Sequence, residues 1–125
     1  MIEPGIQPVC AALNRIPGVA TRWSCEGHPD GIRTPYVTFV AAEEFARQVN
    51  FLLAHGHGPD DSLKRYWSLS GSFDPDGELQ WTLRAAPGQY IHWPFRFWWR
   101  RKMNTELQRL ANLLATMTPS LNKAA

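Results

Sequence analysis

Val9, Leu13 and Ile16 recur at helical spacing behind Pro8, and Pro17-Gly18 stops the turn, so residues 8 to 15 read as a short first helix. The period then changes. Val19, Thr21, Trp23 and Cys25 alternate with Ala20, Arg22 and Ser24, the repeat of a half-buried strand. A second strand runs from Tyr36 to Ala41. The connection between the two contains Pro29-Asp30-Gly31, turn chemistry that predicts a hairpin with a long loop. Phe45, Val49, Leu52 and Leu53 share one face of a second helix, which Glu43 and Glu44 open and Gly56 and Gly58 close. Beyond a polar loop at 59 to 65, Trp67, Leu69 and Phe73 alternate with Ser68, Ser70 and Ser72. Asp74-Pro75-Asp76-Gly77 turns the chain, and Leu79, Trp81, Leu83 and Ala85 alternate with Gln80, Thr82 and Arg84 in a second hairpin. Finally Trp99, Met103, Leu107, Leu110, Leu114 and Met117 step by four, four, three, four and three residues, the apolar stripe of a long last helix.

Helix, hairpin, helix, hairpin, helix predicts an α+β fold. Two β-hairpins form one four-stranded, mainly antiparallel sheet packed against two or three helices, with the other sheet face partly open. The turn at 28 to 31 echoes that at 74 to 77, a hint of two helix-hairpin units. With 125 residues, the chain is expected to be one domain over 1-125. Its six tryptophans and six phenylalanines supply the apolar surface that offsets the entropy of folding.

Charge is unevenly spread. Residues 1 to 78 hold ten carboxylates against six Lys and Arg, whereas residues 79 to 125 hold one carboxylate against seven, so the C-terminal part is the basic pole. Such a pole predicts an anionic partner, or attraction between the two halves of the fold. No apolar run approaches the roughly 18 residues of a spanning helix, and the start MIEPGIQP lacks the zones of a signal peptide, which predicts a cytoplasmic protein with no membrane partner. In that compartment Cys10 and Cys25 are expected to be free thiols.

Three places carry candidate chemistry. The first is Trp23-Ser24-Cys25-Glu26-Gly27-His28, at the end of the first strand, with Arg33 beyond it. A hydroxyl, a thiol, a carboxylate and an imidazole meet there beside a glycine that permits close backbone approach, so Ser24, Cys25, Glu26, His28 and Arg33 are candidate ligand-binding residues. As turn caps and core residues they would serve the fold instead; the functional reading expects Glu26 and His28 to point to solvent from the turn. The Ser24-Cys25-x-Gly27 arrangement, followed by an imidazole and a second strand, resembles the Ser-Cys-Ser-Gly-Arg signature of the tRNA wybutosine-synthesis methyltransferase family. The likeness spans about residues 18 to 40 and carries Ser24, Cys25 and Gly27, but Glu26 stands where that family has Ser and His28 where it has Arg. The resemblance implies methyl transfer from S-adenosylmethionine onto a modified guanosine in tRNA. No second motif of that family is present, and no cofactor is expected.

The second place pairs Cys25 and His28 with His55 and His57. Zinc accepts such ligands, but this spacing fits no standard finger and imidazoles at a helix end also cap carbonyls, so no metal is expected. The third is residues 90 to 102, within a stretch from 79 to 105 that contains no carboxylate. Arg84, Arg96, Arg100, Arg101 and Lys102 can neutralise phosphates and Trp98 can stack on a base, whereas the same aromatics could cover one end of the core with arginines lying flat over them.

The expected function is therefore a small intracellular binding module that engages nucleic acid, RNA or DNA, or another phosphate-bearing ligand through its basic, aromatic-rich C-terminal segment. An alternative is a protein-binding inhibitor or accessory factor of a mobile element, docking a partner protein on its aromatic surface. A third reading is an enzyme using the Ser24-Cys25-Glu26-Gly27-His28 loop, although no acid and base stand paired at fixed spacing.

Overall fold

A computed structural model describes residues 2–28, 33–56, 63–64, 66–86 and 96–117, with side chains from 98 onward in the last segment. Seven elements follow in the predicted order: α1 (Gln7–Asn14), β1 (Ala20–Cys25), β2 (Tyr36–Val40), α2 (Glu43–His55), β3 (Trp67–Phe73), β4 (Leu79–Ala85) and α3 (Arg96–Ala115). Both hairpins are present, and they join through their second strands into one antiparallel sheet of order β1-β2-β4-β3. The turn at 29 to 32, His57, most of the 59 to 65 loop and the aromatic stretch from 90 to 95 lie outside the described residues.

The helices cover one face of the sheet. Val37, Phe39 and Leu83 point into a core filled by Val9 and Leu13 of α1, Phe45 and Val49 of α2, and Met103, Leu107, Leu110 and Leu114 of α3. The predicted stripe of α3 is buried throughout, because positions three and four apart stack on one side of a helix. Phe39 and Phe45 meet edge to face with centroids 5.9 Å apart, the arrangement that aromatic quadrupoles favour. The opposite sheet face carries Ser68, Ser70, Ser72, Thr82, Thr38, Tyr36 and Arg84, as the alternation in β2, β3 and β4 requires.

In β1 the expected facing fails at one point. Thr21 pairs with Phe39 but Trp23 pairs with Thr38, so Arg22 is an extra residue in a β-bulge. One inserted residue reverses the sides of everything beyond it. Trp23, expected on the same side as Val19 and Thr21, therefore stands on the open face with 66% of its surface exposed. Ser24 turns inward instead, toward the Cys10 thiol of α1.

Both described cysteines are free. Burial pushes the Cys10 thiol above its ordinary value of about 9, and Ser24 only partly offsets this. A raised folded value means that the protonated thiol is favoured in the fold, so this stability is complete below the ordinary value and is lost as pH rises through the folded one. Melting temperature is expected to fall above about pH 9, and Cys10→Ala to flatten that fall, as thermal denaturation between pH 7 and 10.5 would measure.

Candidate functional site

Two surfaces flank α3, and they divide the residues of its basic first turns. Positions 98, 102, 105 and 109 share one flank by helical spacing, while 100 and 104 lie on the other.

Arg100 reaches the loop that follows β1. Its Nη2 donates to the Glu26 carbonyl at 2.8 Å, Nη1 donates to the Gly27 carbonyl at 3.0 Å, and Nη1 lies 3.4 Å from Glu26 Oε2. Nε donates to Asn104 Oδ1 at 2.9 Å. Burial pulls this guanidinium below its ordinary value, opposed by the nearby carboxylates of Glu26 and Glu3. Arg100 is thus a clamp on the loop. It contributes little charge to a ligand surface, a role that its Arg-Arg-Lys neighbourhood does not signal.

The loop itself is tied from the other side by the segment ahead of α1. Gly5 N–H donates to Glu26 Oε1 at 3.1 Å, and Glu26 N–H donates to Glu3 Oε1 at 3.0 Å. Glu26 is consequently not the solvent-facing side chain expected of a free turn. Its two oxygens are engaged by Gly5 and Arg100, because the N-terminal segment packs across the loop. Gly27 sits at φ +84°, and its N–H donates to Cys25 Sγ at 3.4 Å. His28 N–H donates to the Arg33 carbonyl at 2.7 Å, which closes the loop neck and places Arg33 beside it. Burial pushes the Cys25 thiol up, the Gly27 N–H opposes this, and Glu3 and Glu26 push it further. That environment does not activate a thiolate nucleophile on its own.

One ligand-capable atom from each of Glu3, Cys25 and His28 lies within 4.8 Å of the other two. His55 is occupied elsewhere, at the end of α2, where its ring stacks on Phe51 at 4.1 Å and Nδ1 lies 2.9 Å from the Phe51 carbonyl. Ser24, the remaining candidate of this loop, is turned toward Cys10. The sequence reading missed Glu3, which carries no local signal. Close packing against α3 leaves no room for a side chain two residues on, at Gly5, where a Cβ would come within 2.8 Å of Asn104 Oδ1.

The other flank forms an open groove of about 590 Å³ lined by Lys64, Lys102, Thr105, Glu106 and Arg109. Lys102 Nζ stands 4.3 Å from the centroid of the Trp98 ring, and Trp98 is 53% exposed. Glu106 is the sole carboxylate of the basic pole, yet it is buried at 3% exposure. Its oxygens accept from Lys64 N–H at 3.0 and 3.3 Å and from Trp67 Nε1 at 3.0 Å. These bonds hold the 63–64 segment against α3, which brings Lys64 beside Lys102 and Arg109. Lys64, Thr105 and Arg109 were missed as site residues, since they come together only through the fold and through turns of one helix.

Among the sequence candidates for a phosphate surface, Trp98 and Lys102 share this flank. Arg101 is exposed on the same helix, with its carbonyl accepting from Thr105 Oγ1 at 3.1 Å. Arg84 is apart on the open sheet face, where its guanidinium lies 4.6 Å from the Tyr36 ring centroid. Of Arg96 the structure describes only the backbone, at the start of α3. Among the described residues no helix is long and apolar enough to cross a membrane. Compared with family models, curated proteins and solved structures, the chain has no match in any of the three, so the reading of these two surfaces rests on their own geometry.

Proposed function

We propose that the protein binds single-stranded nucleic acid along the outer flank of α3. The observation that carries this reading is the groove in which Lys64, Lys102 and Arg109 converge beside the exposed Trp98 ring. Cations spaced along a groove neutralise successive phosphates and release counterions, and an accessible indole stacks on any base without reading its identity. Thr105 adds a hydroxyl to the same wall. Glu106 lines the same groove, but its oxygens accept from Lys64 N–H and the Trp67 indole, and one carboxylate leaves the three cations Lys64, Lys102 and Arg109 in excess. The likeness of the Ser24-Cys25-x-Gly27 loop to a tRNA-modifying family makes tRNA one of the RNA probes to include.

Fluorescence anisotropy with labelled single-stranded RNA and DNA tests the proposal. Changing Lys64, Lys102 and Arg109 together to Gln should weaken binding at least tenfold and reduce the salt dependence, by about 0.7 in slope for each phosphate no longer neutralised. Trp98→Ala should cost about 1–3 kcal/mol of affinity with the salt slope unchanged. Arg100 is left out of this set because its change would loosen the loop. If neither nucleic acid binds at low salt, the proposal is wrong.

A second reading follows from the groove of about 620 Å³ between α2 and the sheet edge, lined in part by Ala46, Asn50, Phe51, Leu69 and Trp81. Phe51 is 65% exposed there, an anchor of the kind that protein interfaces use. Partner capture that is lost in Phe51→Ala and kept in the triple Gln variant would favour this reading.

A further inference from the structure

We propose that Glu3, Cys25 and His28 form a zinc site at the mouth of the loop after β1, a site separate from the groove on the other flank of α3. The expectation of no metal rested on the scatter of Cys25, His28, His55 and His57 along the chain. Folding leaves His55 on α2, where it stacks on Phe51, but it brings a carboxylate from the far side of α1 to the Cys25-x-x-His28 pair.

The donor set is a thiolate, an imidazole and a carboxylate, all of which zinc takes in tetrahedral sites. Bonds of about 2.3 Å to sulfur and 2.0 Å to nitrogen or oxygen separate tetrahedral ligands by roughly 3.5 Å. The present separations of up to 4.8 Å close to that span with small rotations of three partly buried side chains. The surroundings suit a cation of charge two. Glu3, Glu26 and the Cys25 thiolate carry three negative charges beside the Arg100 guanidinium that pairs with Glu26, an arrangement that favours a divalent ion. The Gly27 N–H already points at Cys25 Sγ, a bond that supports the thiolate which coordination creates as the thiol proton leaves to solvent. The Glu26 oxygens are held by Gly5 N–H and Arg100, so three protein ligands leave the fourth position to water or a small ligand, the pattern of zinc sites that do chemistry.

The test titrates the full chain, freed of metal by chelation, with cobalt(II) chloride and then with zinc chloride. One equivalent of cobalt should give a near-ultraviolet thiolate-to-cobalt absorption that zinc removes, and zinc should raise the melting temperature. Cys25→Ser should abolish that absorption, while Glu3→Gln and His28→Ala should each weaken cobalt binding about tenfold or more. Ser and Gln keep an acceptor for Gly27 N–H and Glu26 N–H, so far-ultraviolet circular dichroism should stay that of the parent. The proposal is overturned if the parent chain takes up no cobalt, or if the absorption survives in Cys25→Ser. Nucleic-acid binding is measured separately on the same variants, and its presence or absence leaves the metal result unaffected.

Discussion

Glu106→Ala is expected to destabilise the protein by about 3 kcal/mol, because it strips acceptors from two donors at once. Lys64 N–H and the Trp67 indole both donate to this carboxylate, which is 3% exposed at the junction of α3, β3 and the 63–64 segment. An unsatisfied buried donor costs about 1–3 kcal/mol, and the space left by the side chain adds to that. For a domain of this size the melting temperature should fall by about 10 °C. Glu106→Gln retains one amide oxygen and should lose about a third as much. Differential scanning calorimetry of the two variants decides the matter. If Ala and Gln melt together with the parent, the bonds at Glu106 are not holding the 63–64 segment in place.

Gly27→Ala should cost about as much, for a different reason. Gly27 lies at φ +84°, a region where a Cβ is strained by roughly 1–2 kcal/mol, and a Cβ built there meets Pro35 Cδ at 2.7 Å, Pro35 Cγ at 2.8 Å and the Pro35 nitrogen at 2.9 Å. A proline ring cannot swing aside as a flexible chain end can, so the loop or the start of β2 must move. About 3 kcal/mol in total is expected, by urea or thermal unfolding. Gly77 provides the control. It has nearly the same angle, φ +83°, but nothing within 4 Å of the built Cβ, so Gly77→Ala should show the backbone cost alone, about 1 kcal/mol. Equal losses at the two glycines would mean that the contact with Pro35 is relieved and that the loop is softer than its bonds to Arg100 and Glu3 require.

The same contact explains why the loop works as a rigid platform. Pro35 behind Gly27, Arg100 on the two carbonyls and Glu3 on the Glu26 N–H hold the consecutive residues Glu26 and Gly27 from three sides. Within it Gly27 serves the turn and Ser24 faces Cys10, while Cys25 and His28 stand with Glu3 as donor atoms within 4.8 Å of one another.

What the chain determines by itself is what neighbouring residues decide. The period of Val9, Leu13 and Ile16, the alternation from Leu79 to Ala85 and the Asp-Pro-Asp-Gly turn all express local backbone geometry, so element order, both hairpins and the buried stripe of α3 were legible within a window of a few residues. Already in β1 that window fails, since the bulge at Arg22 depends on the pairing of β1 with β2, and Trp23 points to the open face in consequence. Arg100, Arg101 and Lys102 read as one basic run, yet a helix advances about 100° per residue and sends Arg100 to the loop and Lys102 to the groove. Glu3 and Glu106 were invisible for the same reason. These carboxylates take their meaning from partners 23 to 42 residues away, and only packing brings those partners within hydrogen-bond reach.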